Sequence, residues 1–423
     1  MDNALDHCAE WVLTAATAAR QASSVLARLP GAARDGALRA AAGALRAARA
    51  GIVAANARDV ADFDAAGGSK AFRDRLLLTP ERVEAMARGL DDIAALPDPL
   101  GRVLAEWARP NGLVIRRVAQ PLGVIGMIYE SRPNVGADAA GLCLKAGSAV
   151  ILRGGSDSFH SARAIHAALV AGLTSVGVPA EAVQIPPETD RGYVAAMLGA
   201  AGLIDLIIPR GGKSLVERVQ REARVPVLAH AEGLNHTYVH EAADPAMARA
   251  ILANAKMRRT GICGATETLL IDAAIAPALL PLLVADLRAL GCDFRAGPRA
   301  RAIVADLPPA PDGTFDTEWL DAVLSVAVVD DVEHALRFIR NHGSEHTDAI
   351  ITEDAAAAAR FLNGVDSAVA LWNASTQFCD GGEFGFGAEI GIATGRVHAR
   401  GPVGLEQLTT FRYHVIGTGQ IRP

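Results

Sequence analysis

The chain has 423 residues, of which 51% are hydrophobic and 21% are charged. This length indicates two or three domains, and the composition excludes a largely disordered chain. The 41 Lys and Arg residues against 47 Asp and Glu give a net charge of −6, so we expect no general affinity for nucleic acid or for anionic membranes. Any phosphate group on a ligand must then be held locally, by backbone N–H groups and a few cations.

The cysteines and the N-terminal segment predict where the protein works. The five cysteines are too few and too scattered for a disulfide framework, and their odd number leaves at least one thiol outside any disulfide. The first residues include acidic ones and lack the basic start and apolar core of a secretory signal. The apolar stretches are shorter than the roughly 20 residues that cross a bilayer. We therefore expect a cytoplasmic protein without a membrane segment.

The first half of the chain changes pattern at about residue 113. Residues 8–65 are rich in Ala and Arg with apolar residues three and four apart, which predicts two or three helices. Further on, predicted strands at 123–129, 148–153, 204–208 and 225–229 alternate with predicted helices at 136–146, 156–175, 189–200 and 213–223. This alternation indicates βαβ crossovers and a mainly parallel sheet with helices on both faces.

A second alternating block follows a predicted domain boundary near residue 235. Its predicted helices are 244–258, 276–290 and 331–341, and its predicted strands are 267–271, 323–329, 348–352 and 366–371. The proline-containing segment 296–317 is predicted to be a loop, and residues 395–415 alternate as a strand does. The sequence thus predicts an α/β fold of two domains with an extended arm.

Cys263 is the candidate nucleophile. It follows two arginines in the run RRTGICGATETLLI, lies between Gly261 and Gly264, and precedes an apolar strand. A thiol attacks as the thiolate, and nearby positive charge or peptide N–H groups lower its pKa. The flanking glycines let a substrate carbonyl approach the sulfur. The alternative is a packed thiol, because cysteine often behaves as a small hydrophobic residue.

Asn134 is a candidate for polarising a carbonyl group. It lies in YESRPNVG (129–136), directly after a predicted strand that Pro133 cannot extend. Its amide could donate a hydrogen bond to a developing oxyanion. The alternative is an N-cap, since Asn commonly begins helices.

Three short motifs do not support the sites that they formally suggest. IPRGGKS (208–214) ends like a phosphate-binding loop, but Ile207 stands where the first glycine is required. GFGAEIG (385–391) has the wrong glycine spacing for a dinucleotide fingerprint. HGSEH (342–346) matches an inverted zinc-protease pattern, yet Gly and Ser separate its histidines and a predicted strand follows. We expect a loop there, and we predict no metal.

Seven longer runs carry a family resemblance. They are YESRPNV (129–135), LCLKAGSAVILRGGS (142–156), LIIPRGG (206–212), GICGATETLLI (261–271), HTDAIITED (346–354), LWNAST (371–376) and FGFGAEIGIATGRVHARGPVGLEQLTT (384–410). Together they resemble the gamma-glutamyl phosphate reductase (glutamate-5-semialdehyde dehydrogenase) family of the aldehyde dehydrogenase superfamily, which serves proline biosynthesis. The runs occur in the expected order over nearly the whole chain.

The resemblance implies roles for individual residues. Cys263 stands at the catalytic thiol and Asn134 at the asparagine of the oxyanion hole. The residues implied in cofactor binding are Arg153, Gly154, Gly155 and Ser156 at the adenosine ribose, Gly211 and Gly212 near the pyrophosphate, and Glu318 at the nicotinamide ribose. Arg132, Arg258 and Arg259 are candidates for the substrate phosphate and carboxylate by proximity in sequence, with ordinary surface arginines as the alternative.

The resemblance also implies an architecture and partners. It predicts a cofactor-binding α/β domain over 1–235, a catalytic α/β domain over 236–395, and an oligomerisation arm from 115–130 and the C-terminal strand 396–423. A homo-oligomer is expected, and a transient contact with glutamate kinase is compatible with the pathway.

The implied reaction is the NADPH-dependent reduction of L-glutamyl 5-phosphate through a cysteine thioester. NADP is expected over NAD because Ser156 stands where NAD-preferring relatives place a carboxylate, and Arg153 could pair with a 2′-phosphate. Hydrolytic relatives use a glutamate base, but the comparable run HAEGLNH (230–236) differs in its glycines, so Glu232 is given no role. The rival hypotheses are a hydrolytic aldehyde dehydrogenase of the same fold and a non-catalytic partner that binds glutamate kinase and shelters a labile acyl phosphate.

Overall fold

The computed structural model describes residues 2–67, 70–130, 132–230 and 232–422, and for residues 2–6, 70 and 71 the backbone alone. The chain divides into two compact units. The first consists of 1–229, 385–391 and 403–423, and the second of 230–384 and 392–402. The predicted division at 235 lies close to the first of these boundaries. The tail differs from the prediction, because it contributes segments to both units.

The helices and strands are numbered in chain order. The helices are α1 Asp2–Leu26, α2 Gly31–Ala47, α3 Arg49–Ala65, α4 Lys70–Leu76, α5 Pro80–Ala95, α6 Val135–Lys145, α7 Phe159–Ser175, α8 Gly192–Gly199, α9 Lys213–Glu222, α10 Pro245–Met257, α11 Ala276–Ala289, α12 Pro298–Ile303, α13 Val332–His342 and α14 Ala355–Gly364. The strands are β1 Val103–Ala108, β2 Val114–Pro121, β3 Val124–Tyr129, β4 Ala149–Arg153, β5 Val183–Gln184, β6 Leu206–Arg210, β7 Asn235–Val239, β8 Thr266–Asp272, β9 Asp293–Ala296, β10 Val323–Val329, β11 Thr347–Ile351, β12 Val369–Trp372, β13 Ile392–Ala393, β14 Gly401–Pro402 and β15 Thr409–Ile416. No helix of the described residues has the length and apolar character needed to cross a membrane.

The first unit contains the predicted parallel sheet, in the order β5-β4-β3-β6. Its central strands are buried throughout because helices cover both faces. Ile151 joins a core cluster with residues of α1 and α8. The next residue, Leu152, faces the other way and approaches Gly136 on α6, as side-chain alternation along a strand requires.

A separate antiparallel sheet, β1-β2-β15, also belongs to the first unit. β2 and the C-terminal strand β15 pair along their whole length. The remainder of the predicted arm segment 115–130 differs, because β3 lies in the parallel sheet. Gly123 separates the two sheets with a φ of +126°, a conformation that other residues rarely adopt.

The second unit is built on a six-stranded parallel sheet in the order β12-β11-β7-β8-β10-β9. Its central strand β7 was not predicted, since Asn235, His236 and Thr237 interrupt the apolar pattern. These side chains are buried and make hydrogen bonds to neighbouring strands, although Asn235 Oδ1 and His236 Nε2 have no hydrogen-bond partner. The mixed α/β architecture with parallel sheets agrees with the predicted fold class.

Three local predictions were wrong or incomplete. The predicted strand 225–229 is reduced to an isolated bridge between Val227 and Ile207, since Pro226 has no N–H to donate. The predicted loop 296–317 contains the short helix α12. Within 395–415, the strands are β14 and all of β15 except its last residue. A turn at Glu406–Leu408 separates the two.

Candidate active site

Cys263 lies in a turn between α10 and β8, three residues before the strand begins. β7 holds this turn in place, since Asn235 Nδ2 donates to the carbonyl oxygens of Cys263 at 2.6 Å and Ala265 at 2.9 Å. Gly233 packs so closely that a Cβ there would collide with the Cys263 carbonyl. The backbone of the thiol-bearing turn is therefore fixed by polar contacts from the neighbouring strand.

Cys263 differs from the other cysteines in its exposure. Among the described residues it is the one cysteine that is half-buried, while Cys8, Cys143, Cys292 and Cys379 are buried. Burial raises the pKa of Cys143 well above its ordinary value and that of Cys292 to about 12. Those two thiols are thus held in the unreactive neutral form. Cys263 alone combines access to solvent with a rigid glycine-flanked turn.

Two histidines accompany the thiol, namely His230 and the last residue of the HGSEH motif, His346. One ligand atom each from His230, Cys263 and His346 lie within 4.8 Å of one another. The residues precede β7, β8 and β11, which are adjacent parallel strands, so their N-terminal ends meet at one edge of the sheet. His346 is fully buried, and burial together with the neighbouring His230 lowers its pKa well below the ordinary value. Its imidazole is neutral.

The two histidines of the HGSEH motif lie in different surroundings. His342 ends α13 and is partly exposed, with Nδ1 2.7 Å from Asp316 Oδ1. His346 is buried at the start of β11, where its Nδ1 lies 2.9 Å from Thr347 Oγ1. The two side chains do not share a helix face, which removes the zinc-protease interpretation of this motif.

A buried ion pair links α10 to β8 on either side of the thiol. Lys256 Nζ lies 2.7 Å from Glu267 Oε2, and both side chains are almost wholly buried. Burial raises the pKa of Glu267 to about 7, against the opposing attraction of Lys256. The Leu320 N–H also donates to Glu267, at 3.3 Å. The pair therefore ties together the two elements that frame Cys263.

Glu318, predicted at the nicotinamide ribose, lies in the loop before β10, next to β8 in the sheet. Its Oε1 accepts a hydrogen bond from the Gly233 N–H at 3.0 Å. The same Gly233 packs against Cys263, so the two predicted site residues share one supporting segment. Glu232, which received no role, is half-buried beside Gly233.

The predicted substrate arginines of the second unit follow the end of α10. Arg258 and Arg259 are exposed. Gln377 connects both to the structure, since its Oε1 accepts from Arg258 Nη1 at 3.3 Å and its Nε2 donates to the Arg259 carbonyl at 3.3 Å. Their exposure makes them accessible to an anion, and equally fits surface arginines.

Asn134 and Arg132 lie in the first unit. Asn134 occupies the N-cap position of α6, but its side chain makes no capping hydrogen bond and instead donates to Asp138 Oδ2 at 3.2 Å. Removal from water raises the pKa of Asp138 to about 6, while Asn134 and Arg210 oppose the rise. Arg132 is half-buried, and its carbonyl accepts from the Val135 N–H. The N-cap alternative therefore explains where Asn134 lies relative to α6. It does not explain why the side-chain amide binds Asp138 and caps no helix N–H group.

The predicted ribose-binding turn borders a small cleft. Arg153, Gly154 and Gly155 line it, and the exposed Ser156 follows directly. The buried Arg153 guanidinium donates to the carbonyls of Gly154 and, at 2.8 Å, Thr189, while its Nε has no hydrogen-bond partner. The Arg153 side chain thus connects two segments that line the cleft, one at Gly154 and the other at Thr189.

One carboxylate belongs to the cleft. Glu188 is the single acidic residue among those that line it in the described chain, and it is exposed. The sequence prediction of cofactor preference did not include this residue, because it lies on a different loop from Ser156.

Gly211 and Gly212 lie at the N-terminus of α9, as predicted for a pyrophosphate-binding helix. The Gly212 N–H donates to Glu130 Oε2 at 2.9 Å. A Cβ at Gly211 would collide with the same carboxylate. The helix N-terminus therefore already holds an anionic group, that of Glu130.

Comparisons with known proteins agree on a single family. The model of the family described as aldehyde dehydrogenase matches residues 5–300. The gamma-glutamyl phosphate reductase of Acidiphilium cryptum is 71% identical over 423 residues, which cover 100% of both chains. That of Gluconobacter oxydans is 73% identical over 404 residues, 96% of this chain and 94% of the relative.

Solved structures give the same result. The crystal structure of gamma-glutamyl phosphate reductase from Thermotoga maritima matches with a TM-score of 0.96 and 40% identity, covering 97% of this chain and 100% of that one. An acetylating aldehyde dehydrogenase from Geobacillus thermoglucosidasius, at 16% identity, covers 100% of both chains with a TM-score of 0.70 and shows a shared fold.

Proposed function

The chain belongs to the aldehyde dehydrogenase family and, within it, to the gamma-glutamyl phosphate reductases, and we propose that it reduces L-glutamyl 5-phosphate to L-glutamate 5-semialdehyde and phosphate with NADPH. This reaction is the second step of proline biosynthesis from glutamate. The full-length identity of 71% to a gamma-glutamyl phosphate reductase carries the proposal. The half-buried Cys263, on a turn fixed by Asn235, supplies the nucleophile that the reaction needs.

In the proposed mechanism, the Cys263 thiolate attacks the γ-carbonyl carbon and phosphate leaves with the bonding electrons, which forms a thioester. The Cys263 N–H and the Asn134 amide are assigned to the developing oxyanion, whose charge is larger in the transition state than in the substrate. The nicotinamide cofactor, when bound, supplies the hydride that reduces the thioester. Collapse of the thiohemiacetal then returns the thiolate and releases the aldehyde.

The first unit contains groups that fit a phosphorylated dinucleotide. The N-terminus of α9 offers backbone N–H groups, and the glycine at 211 leaves room where a Cβ would block an anion. The buried Nε of Arg153 lacks a hydrogen-bond partner beside the cleft. We assign Gly211 and Gly212 to the pyrophosphate, the turn 153–156 to the adenosine ribose, and Glu318 to the nicotinamide ribose.

The serine at position 156 supports a preference for NADPH. Ser156 brings no negative charge to the ribose, whereas Glu188 brings one at the opposite loop. Ser156→Glu should raise the KM for NADPH about tenfold more than the KM for NADH, because a carboxylate repels the 2′-phosphate. Glu188→Gln should shift the preference further towards NADPH, and Ser156→Ala serves as the size control. Steady-state kinetics with both cofactors measure this, and equal effects of Ser156→Glu on the two would contradict the assignment.

The arm sheet and the cysteines support two further parts of the proposal. The β1-β2-β15 sheet exposes apolar side chains, which favours pairing with a second copy of the chain as a homo-oligomer. The described residues include all five cysteines and form no disulfide, in keeping with a reducing cytoplasmic location. A transient contact with glutamate kinase stays part of the proposal as a hypothesis from the pathway.

The test runs the reaction backwards with glutamate 5-semialdehyde and NADP⁺, with and without inorganic phosphate. NADPH should form only when phosphate is present, since phosphate must resolve the thioester. Equal rates without phosphate would favour the hydrolytic aldehyde dehydrogenase. No turnover, together with no cofactor binding in a fluorescence titration, would favour the non-catalytic alternative.

A further inference from the structure

We infer that Cys263, His230 and His346 form a site for a zinc-type divalent ion, which captures the thiol and reversibly inhibits the enzyme. Binding of the ion does not depend on the proposed function, whereas the inhibition rests on it. The ion is proposed as an inhibitor and not as a resident cofactor. The sequence predicted no metal, because its histidines do not cluster along the chain, and the three ligands meet only in the fold.

The position of the three residues in the sheet brings their ligand atoms together. Each residue precedes one of three adjacent parallel strands, β7, β8 and β11, and the three ligand atoms lie within 4.8 Å of one another. In a tetrahedral zinc site, bonds of about 2.0–2.3 Å place ligand atoms roughly 3.3–3.6 Å apart. Side-chain shifts of about 1 Å would therefore close the site around an ion.

In each histidine, the ring nitrogen Nδ1 makes a hydrogen bond that orients the imidazole. His230 Nδ1 donates to the Ile392 carbonyl oxygen at 2.7 Å, which assigns the lone pair to Nε2. His346 Nδ1 lies 2.9 Å from Thr347 Oγ1. Zinc-binding histidines usually donate their other ring N–H to a carbonyl or similar acceptor, which fixes the ring. His230 thus has the outer contact of a metal ligand, and His346 has the same contact when its Nδ1 donates to the Thr347 hydroxyl.

An unpartnered atom of the His346 side chain is the evidence for a ligand at this site. Its side chain is wholly buried, and its Nε2 has no hydrogen-bond partner. Buried polar atoms in proteins almost always have one. The His230 and His346 rings meet edge to face, with centroids 5.1 Å apart, so the second imidazole is in place beside the first. A metal ion would satisfy the buried nitrogen.

The donor set selects the class of ion. Two neutral imidazoles and one thiolate suit Zn²⁺ and Co²⁺, whereas Mg²⁺ and Ca²⁺ prefer oxygen ligands. Three protein ligands leave a fourth position for water. A thiolate bound to the ion no longer attacks the acyl phosphate, so occupation stops turnover until a chelator removes the metal.

The experiment measures binding on the full-length protein in its native assembly, after treatment with a chelator. Equilibrium dialysis with Zn²⁺ should give one ion per chain, and Co²⁺ should give a thiolate charge-transfer band. Cys263→Ser should abolish the band, and His230→Asn and His346→Asn should each weaken binding by more than about tenfold. His342→Ala and Cys292→Ala are the matched controls and should bind as the parent does.

The outcomes separate this inference from the proposed function. Equal Zn²⁺ binding by Cys263→Ser and the parent, or loss of binding in His342→Ala, would overturn the site. Mass spectrometry of iodoacetamide-treated protein gives an independent measure, since Zn²⁺ should slow alkylation of Cys263 at least about tenfold and leave it unchanged in His230→Asn. Should His346→Asn not fold, as a thermal melt would show, His230→Asn and Cys263→Ser decide. None of these measurements requires turnover.

Discussion

At the scale of single residues, the reactivity of the site depends on the contrast between Cys263 and the buried thiols. Cys292 lies in the apolar core of the second unit, and burial raises its pKa to about 12. Cys263 instead lies half-buried on a turn whose carbonyl is held by Asn235. Exposure and backbone support together distinguish the nucleophile from a packed cysteine.

Replacement of the nucleophile gives the first prediction. Cys263→Ala should lower phosphate-dependent oxidation of the semialdehyde by at least about 10³-fold, because no thioester can form. Cys292→Ala removes a buried thiol of the same unit and should leave the rate within about twofold. Rates from initial NADPH formation, with cofactor binding as the folding control, measure the difference. Comparable activity of Cys263→Ala and the parent would mean that the thiol is misassigned.

The raised pKa of Asp138 gives a prediction about pH. A carboxyl group whose pKa rises on folding, here from 3.8 to about 6, stabilises the fold below pH 4, and this contribution is lost as the pH rises through 6. Asp138→Asn should therefore gain stability over the parent between pH 4 and pH 7, by at most about 3 kcal/mol.

Urea unfolding at several pH values measures this gain. Asp92→Asn, at an exposed position on α5, controls for the loss of one negative charge. A stability difference between Asp138→Asn and the parent that does not change with pH would contradict the assignment. The amide variant keeps an oxygen that can accept from Asn134, so the activity of Asp138→Asn reports whether the charge itself orients that amide.

At the scale of elements, the N-terminus of α9 is the proposed binding site for the cofactor pyrophosphate. The Gly212 N–H already donates to Glu130, and Gly211 packs against the same carboxylate. A pyrophosphate at this helix end must displace the Glu130 side chain, because two anions would compete for the same N–H groups. If the pyrophosphate binds here as proposed, Glu130 competes with the cofactor.

Glu130→Gln should therefore tighten NADPH binding about two- to fivefold, which corresponds to the 0.3–1 kcal/mol typical of a charge at a helix N-terminus. Glu217→Gln, in the exposed middle of α9, is the matched control and should leave the Kd unchanged. Titration of the quenching of tryptophan fluorescence measures both. Weaker binding by Glu130→Gln would show that the carboxylate assists the cofactor.

At the scale of the whole molecule, the antiparallel sheet is the surface expected to carry assembly. On β15, Tyr413 and Val415 are 55% and 59% exposed, and they lie on one face of the strand because they alternate with Arg412 and His414. Trp107 of β1 meets Tyr413 edge to face, which extends the apolar surface across the sheet. Surfaces of this kind on soluble proteins usually mark an interface.

Tyr413→Asp should reduce the assembly to smaller species, since a charge on the apolar face opposes burial against a second copy. His414→Asp places the same charge on the other face and should preserve the mass of the parent. Size-exclusion chromatography with light scattering distinguishes the two. An unchanged mass for Tyr413→Asp would remove this face from the interface.

The sequence was sufficient where a residue or element depends on its own neighbours in the chain. The alternating apolar runs predicted β3, β4, β8 and β10 to within two residues at either end, because a strand buried on both faces shows its burial directly in composition. Cys263 was recognisable because its glycines and arginines lie beside it. The same local reasoning failed for β7, whose polar side chains make their hydrogen bonds to partners outside their own strand.

By itself, then, the sequence determined the α/β class and the family and identified Cys263 as the candidate nucleophile, all of which follow from patterns within short runs of the chain. Only the tertiary structure decided what surrounds the thiol. The strand order β11-β7-β8 brings His346, His230 and Cys263 to one edge of a sheet, although they are far apart in the chain. The tertiary structure also places the Glu130 carboxylate at the N-terminus of α9 and the Glu188 side chain at the cleft. Such contacts depend on which strands and loops become neighbours, and that order is set by the packing of the whole sheet.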